Sequence, residues 1–389
     1  MHLDDMKIVV VGGGIGGLAV ARALALRGAE VTVFEQAEAI REVGAGLQVS
    51  PNGFRVLDAL GLGCALRAVS VQGQAVRLKD YRGGEVLRLD MGGLESAEYH
   101  FVHRADLIDV LATGAREAGV RIRLLQHAEG VRPGARPDVA LARGVGVQAD
   151  LVVGADGLHS VVRQALNGTV APFFTRQVAW RAVVPNAAGR GPEVHVHMGP
   201  HRHVVSYPLR GGAALNLVAV QERAEWQAES WSQRDDPDSL RAAFADFGPE
   251  VREMLSRVET VHLWGLFRHP VARAWHGAGT VLLGDAAHPT LPFMAQGASM
   301  ALEDAWVLAE ELMQPGALEA RLAAYQVRRE GRVRKVVDAA SSNAWKYHLA
   351  FPPLRWAAHT ALRLGGAVAP GKVLHQFDWI YEHDVVSGG

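Results

Sequence analysis

The stretch Lys7 to Gly17, KIVVVGGGIGG, decides the fold. Ile8 to Val11 are β-branched without interruption, the composition of a strand buried on both faces. Gly12, Gly14 and Gly17 follow as G-x-G-x-x-G and open onto LAVARALALRG, whose apolar residues and alanines suit a close-packed helix ending at Gly28. The first glycine permits the tight turn, and the second lets the backbone approach a pyrophosphate. The third lets helix and strand pack closely. Ile15, within the loop, belongs to the same expected contact surface. A second β-branched run, Glu30 to Phe34, completes a β-α-β unit, and the right-handed crossover makes its strands parallel. Phosphates then sit on the unpaired N–H groups at the positive end of the helix.

Glu35 ends the second strand, where a carboxylate can accept hydrogen bonds from ribose hydroxyls. An acid there repels a 2′-phosphate, so NADP is disfavoured in this particular site. The alternative for Glu35 is a solvated strand end. At this point NAD and FAD remain open.

The rest of the composition narrows the class. The chain has 389 residues, enough for two intimately packed domains or one large one. Forty Lys and Arg balance 41 Asp and Glu, for a net charge of −1, so no positive excess is available to neutralise a nucleic-acid backbone. The single cysteine, Cys64, excludes an internal disulfide and multi-cysteine metal sites, and fits a reducing cytoplasm. No apolar run approaches the roughly 18–20 residues of a membrane span. Ile8 to Val11 lacks the basic leader and cleavage site of a signal peptide, and a cytoplasmic location is expected.

Further along, Pro51–Leu60, Arg104–Ala118, Ser299–Met313 and Leu318–Tyr347 read as helices. Arg121–Leu125, Gln148–Val153 and Val281–Leu283 read as strands. Between Gln177 and Val220 residues alternate and glycine turns recur, the pattern of antiparallel strands. The expected fold is α/β: a Rossmann-like dinucleotide-binding domain interleaved with an antiparallel-sheet domain and a C-terminal helical segment. Its divisions are 1–175 (main nucleotide-binding part), 176–270 (substrate sheet), 271–315 (return segment) and 316–389 (helical region).

Three further segments carry a resemblance: REVGAGLQ at 41–48, VGADGLHS at 153–160 with Arg163 after it, and GDAAHPTLPFMAQGA at 284–298. Together with the glycine loop they resemble the single-component flavin aromatic hydroxylases, the para-hydroxybenzoate hydroxylase class of FAD monooxygenases. The branch most similar contains salicylate hydroxylase, 3-hydroxybenzoate 6-hydroxylase and 6-hydroxynicotinate 3-monooxygenase. The resemblance spans essentially the whole chain and implies FAD as cofactor. It implies Asp285 on the ribityl or ribose hydroxyls, Arg104 on the phosphates and Arg41 near the adenosine. Gly297 and Ala298 would present N–H groups to the O2 side of the flavin ring, at a helix N-terminus suited to negative charge. Asp156 is implied in FAD and NAD(P)H binding; its alternative is a helix cap. His288 is expected to support the turn, and Met300, Leu302, Trp306 and Leu308 to form a core stripe.

Only one dinucleotide fingerprint is present, so NADH or NADPH would visit, deliver hydride and leave. The resemblance then implies hydroxylation of a small phenol by O2 through a flavin C4a-hydroperoxide. A free phenol has a pKa of about 10, so the site must assist its deprotonation and exclude water. His203 and Tyr207, four residues apart on a strand, face one way. The resembling hydroxylases carry such a pair against substrate. His203 is the expected base, Tyr207 the residue that orients the ring, Gln296 a further polar contact over the flavin, and Pro292 a wall of the oxygen pocket. The alternative is that His203, one of 17 histidines, is an ordinary strand residue. His195, His197, His201 and His203 cluster without an accompanying carboxylate or cysteine pattern, so no metal is expected.

Gln48 stands where the hydroxynicotinate branch has histidine, which leans the reading towards a benzoate-like phenol. Attack at a carboxylated carbon would release CO2. Two rivals remain: a ubiquinone-pathway hydroxylase of a prenylated phenol, and a flavin dehydrogenase or redox sensor that does not use oxygen. The aromatic-rich stretch Trp345–Trp379 could line the channel that a prenylated phenol needs, but its preferred reading is a packed tail or dimer surface, and a homodimer is expected by analogy alone.

Overall fold

Lys7–Val11 lies inside a six-stranded sheet because its side chains need cover on both faces, and all four of its apolar residues are buried. It pairs in parallel with Glu30–Phe34 on one side and Leu151–Gly154 on the other. Arg121–Arg123 and Thr280–Leu282 extend the parallel order outward, and His276–Gly277 closes one edge as a hairpin. This computed structural model describes residues 3–388 except 5, 40–44, 95, 97 and 226–233. The glycine-loop helix, Ile15–Ala25, packs on the sheet and against a later helix, Gly297–Leu312. Gly28 turns the chain into the second strand at φ +99°.

The second sheet has eight strands in the order 234–235, 261–268, 173–185, 214–222, 202–209, 193–199, 75–80 and 85–90. The core antiparallel run is the one expected from the alternation between Gln177 and Val220. The sheet is not confined to 176–270, however. Ala75–Asp80 and Glu85–Asp90 come from within 1–175, and Ala75–Asp80 joins in parallel along Glu193–Gly199. Long-range pairing of this kind leaves no mark in local periodicity.

Side-chain alternation gives this sheet two distinct faces. Val204, Leu217 and Trp180 point to a core completed by the helices Pro237–Ala243 and Pro249–Ser256. Their neighbours His203, Val205, Tyr207, Val218 and Val220 face the nucleotide domain across a cavity.

The Leu318–Tyr347 helix clamps the two sheets together, its bounds those read from sequence. It carries Arg329 into a fully buried charged cluster. Arg329 donates to Asp304 at 2.8 Å and Glu303 at 2.6 Å, while Arg332 donates to both Glu303 oxygens. Asn52 donates to Glu303 at 2.6 Å. These bonds fix the helix Gly297–Leu312, and through it the N-terminus that faces the cavity. Beyond it, Pro352–Val368, Pro370–His375 and Asp378–Tyr381 wrap back, bringing Tyr381 to the cavity wall.

Candidate active site

The glycine loop has the geometry its spacing demands. Gly12 sits at φ +104°, and a Cβ there would lie 2.4 Å from the Ala155 carbonyl oxygen. A Cβ on Gly17 would lie 2.0 Å from the carbonyl oxygen of Gly12, so helix and strand touch backbone to backbone. Gly14 differs: a Cβ there meets nothing within 4 Å, and Gly14, Ile15 and Gly16 line the cavity. That open side at a helix N-terminus is where a pyrophosphate fits. Glu35 accepts from the N–H of Gly13 at 2.8 Å and of Ala37 at 2.9 Å. Its carboxylate therefore shapes the loop from behind and does not line the cavity.

Along the cavity from the loop come Arg104 and Asp285. Asp285 is accessible there yet enclosed by protein, and that enclosure raises its carboxyl above the usual range. Burial lowers the Arg104 guanidinium, with Asp285 partly offsetting it. Asp156 has the bond of its helix-cap reading, Oδ2 accepting from the N–H of Val161 at 2.8 Å at the start of the helix Val161–Asn167, while buried Oδ1 has no hydrogen-bond partner among the described residues. Its flanking residues Ala155 and Gly157 line the cavity. Arg41 lies outside the described residues.

Gly297 and Ala298 line the far end, at the start of their helix as expected. Gln296 does not. Its amide is buried and turned away, donating to Ser50 Oγ at 2.9 Å and accepting from Asn52 at 3.1 Å. A buried amide needs partners for both ends, and the Ser50–Asn52–Ser299 cluster supplies them. The expectation of Gln296 over the ring is corrected by this geometry. His288 is structural: its Nε2 meets Asp304 at 2.5 Å, and Asp304 also accepts from the N–H of Gly284 at 3.0 Å. This pair holds the turn that presents Asp285.

His203 and Tyr207 both reach the cavity, with Val205 between them on the same face. Pro292 and Phe293 form the opposite wall, and the His203 ring stands edge-on to Phe293 at 5.4 Å. Burial, then the neighbouring His348, push the His203 imidazolium well below its ordinary pKa. Burial likewise raises the Tyr207 phenol, so it stays protonated and able to donate.

Several cavity residues escaped the sequence reading, Tyr99 among them. Tyr347 and Tyr381 arrive from the C-terminal helices. Arg181 enters from the strand Phe173–Pro185, stacked on Trp264 at 4.3 Å, with its buried Nε unbonded and no carboxylate among the described residues paired with it. Burial brings it down to about 10, so it remains a cation. An arginine inside the apolar run AWRAVV was the available signal.

The histidine cluster is split by the sheet. His195 and His197 lie behind it, and a carboxylate does accompany them, contrary to expectation. Glu250 meets His195 at 3.0 Å and lies 3.8 Å from His197. Lys79 occupies the same carboxylate at 2.7 Å, so the group is charge-balanced by an ammonium.

One continuous cavity thus joins a dinucleotide loop to a sheet carrying an imidazole, a phenol and a cation. That combination defines a class of two-part flavin enzymes that bring a nucleotide cofactor against a substrate sheet. The chain belongs to the FAD binding domain family, whose model matches residues 5–340. It is 34% identical to 3-amino-4-hydroxybenzoate 2-monooxygenase PtmB3 of Streptomyces platensis, covering 98% of this chain and 97% of that one. It is 35% identical to 3-hydroxybenzoate 6-hydroxylase of Klebsiella oxytoca, covering 97% and 96%. Among solved structures, Klebsiella pneumoniae HpxO complexed with FAD and uric acid superposes with a TM-score of 0.84 at 26% identity, over 95% of this chain and 96% of that one. The resemblance read from the glycine loop and GDAAHP, and the α/β fold with its interleaved sheet, stand. No described helix is long and apolar enough to cross a membrane.

Proposed function

We propose that this FAD-dependent monooxygenase hydroxylates a small phenol bearing a carboxylate, using NADH or NADPH and O2. The observation that carries the reading is Arg181: a cation with no carboxylate partner among the described residues, in a cavity that also holds His203 and Tyr207. A charge half-withdrawn from water calls for an anionic partner, and a ring carboxylate supplies one. The same cation is a poor neighbour for a prenyl chain, which sets the ubiquinone-pathway reading behind.

Gly14, Arg104, Asp285, Gly297 and Ala298 would hold FAD; with Oδ1 unbonded, Asp156 is ready to accept from it or from the visiting nicotinamide. FAD held there would take hydride from NAD(P)H and supply the oxygen activation. The chain's own residues do the rest. His203 accepts the phenolic proton, so that the ring becomes an electron-rich phenolate. Tyr207 donates to the ring substituent and fixes its angle, while Phe293 and Pro292 keep water from the reacting face. A carboxylate on the attacked carbon would leave as CO2. A cytoplasmic enzyme suits the lone cysteine and the nicotinamide co-substrate. A homodimer through the C-terminal helices would cover the exposed Phe351, Trp356 and Val368.

The test is a screen of phenols by the rate of flavin reduction under NADH. Hydroxybenzoates and aminohydroxybenzoates should accelerate it, and the parent phenols lacking a carboxylate should not. Equal acceleration by both sets would overturn the reading.

A further inference from the structure

His203 is buried among Phe293, Tyr347 and His348, and burial makes it a weak proton acceptor. A base that takes a phenol's proton into such a site cannot store it, because an imidazolium there is shielded from solvent and touches no carboxylate among the described residues. Yet Nδ1 of His203 is not idle. It lies 2.7 Å from Nε2 of His348, a separation of 145 residues in sequence. Nδ1 of His348 lies 2.8 Å from Oε1 of Glu222, and Oε2 of Glu222 lies 2.6 Å from Nδ1 of His201. Exposure rises along this line, from 2% at His203 and 4% at His348 to a 38% exposed Glu222 side chain and a 60% exposed His201 side chain.

The carboxylate fixes the direction of every proton in the line. Glu222 can only accept when ionised, so His348 donates from Nδ1 and must accept at Nε2. His203 then donates from Nδ1, and its Nε2 is left bare for the ligand in the cavity it lines. That is the tautomer a general base requires.

Backbone bonds hold the same residues together. The His201 N–H donates to the His348 carbonyl at 3.2 Å, and the Glu222 N–H donates to the His201 carbonyl at 3.0 Å. His201 sits at φ +59°, a left-handed conformation that costs a non-glycine residue about 1 kcal/mol or more. The hairpin turn keeps that conformation while its side chain grips Glu222.

We propose that His203, His348, Glu222 and His201 form a proton relay from the substrate pocket to solvent. The proposal rests on His203 being the base. The phenolic O–H breaks as N–H forms at His203 Nε2, and the Nδ1 proton of His203 passes to His348 Nε2. The Nδ1 proton of His348 then passes to Glu222, which releases it to His201 or water. One proton leaves and the negative charge stays on the phenolate; the same transfers in reverse draw one proton in from solvent, return the Nε2 proton to the product's phenolate oxygen and restore the tautomers before the product departs. His348 and Glu222 are relay and positioning residues, since neither touches the ring.

The experiment mixes oxidised, FAD-loaded protein with 3-hydroxybenzoate or 3-amino-4-hydroxybenzoate and an indicator dye in a stopped-flow instrument. It records proton release to solvent beside the perturbation of flavin absorbance that reports binding. In the native protein release should keep pace with binding. Glu222→Gln, nearly isosteric and partly exposed, should bind as fast but release the proton about 10-fold or more slowly, and Glu222→Asp should recover part of the rate. His203→Gln should abolish release. Slow release in His203→Gln with native release in Glu222→Gln overturns the relay and leaves the base in place. Native release in both variants overturns the base as well, and binding without release in the native protein overturns both.

Discussion

Arg329 and Glu303 form a fully buried ion pair 2.6 Å long between the long clamp helix and the helix whose first turn faces the cavity. Neither charge would be tolerable alone at that depth. Arg329 also holds Asp304, which in turn orients His288 and the turn carrying Asp285. Replacing Arg329 by Met leaves two buried carboxylates short of a partner and should destabilise the protein by about 3–5 kcal/mol. Denaturant unfolding of holoprotein measures this, and Arg329→Lys should lose less. A loss under 1 kcal/mol for Arg329→Met would show that Arg332 and Asn52 suffice to neutralise Glu303.

The glycine loop separates two functions that a motif search treats as one. A methyl at Gly14 enters open space beside the loop, so Gly14→Val should keep the melting temperature of apoprotein while losing FAD. Gly17→Ala drives a Cβ into the Gly12 carbonyl and should destabilise the fold itself by several kcal/mol. Thermal unfolding and flavin content of both variants decide the matter. A Gly14→Val protein that retains its FAD would place the pyrophosphate elsewhere.

Arg181 should set selectivity more than speed. Arg181→Gln is expected to raise KM for a hydroxybenzoate by about 10- to 100-fold, the worth of a charge-assisted hydrogen bond. The neutral phenol should be little affected. Loss of FAD from this variant, with no change in the ratio of the two substrates, would assign the cation to the cofactor.

Acid should destabilise the protein before its carboxylates titrate. Burial lowers His197 from 6.5 to about 3, and lowers His203, His348 and His103 as well. Below pH 6.5 the unfolded chain takes up protons that these folded histidines refuse, so stability falls as pH drops, until each folded pKa is reached. For His197 the window runs from 6.5 to about 3, with a slope of up to about 1.4 kcal/mol per pH unit. Glu303, held down at about 2 by Arg329 and Arg332 against its burial, adds a loss of the same sign only below 4.5. Denaturant midpoints from pH 8 to 5 should decline in native protein and decline less in His197→Phe. A flat profile in the native protein would contradict the neutral burial of these imidazoles.

Much of this was legible in the chain because it is local. Val11, Gly12, Gly14 and Gly17 specify a strand, a turn and a helix within a dozen residues, and GDAAHP presents Asp285 on a short turn. Period-two spacing sufficed to put His203 and Tyr207 on one face. What escaped is the product of distant pairing. Ala75–Asp80 joins the substrate sheet across more than a hundred residues. His348 reaches His203 only after the long helix has folded across the sheet. Gln296 was misplaced because its neighbours in sequence face the cavity, whereas its amide follows Ser50 and Asn52, brought from the other end of the chain. Glu250 joined His195 and His197 for the same reason.

The most direct test supplies FAD-loaded protein with NADH, isotopically labelled O2 and a hydroxybenzoate chosen by the reduction screen, and weighs the aromatic product by mass spectrometry. One labelled oxygen atom on the ring is the expected result. NADH consumption whose oxygen is recovered wholly as hydrogen peroxide, with every carboxylated phenol returned unchanged, would contradict a cavity built to oxygenate them.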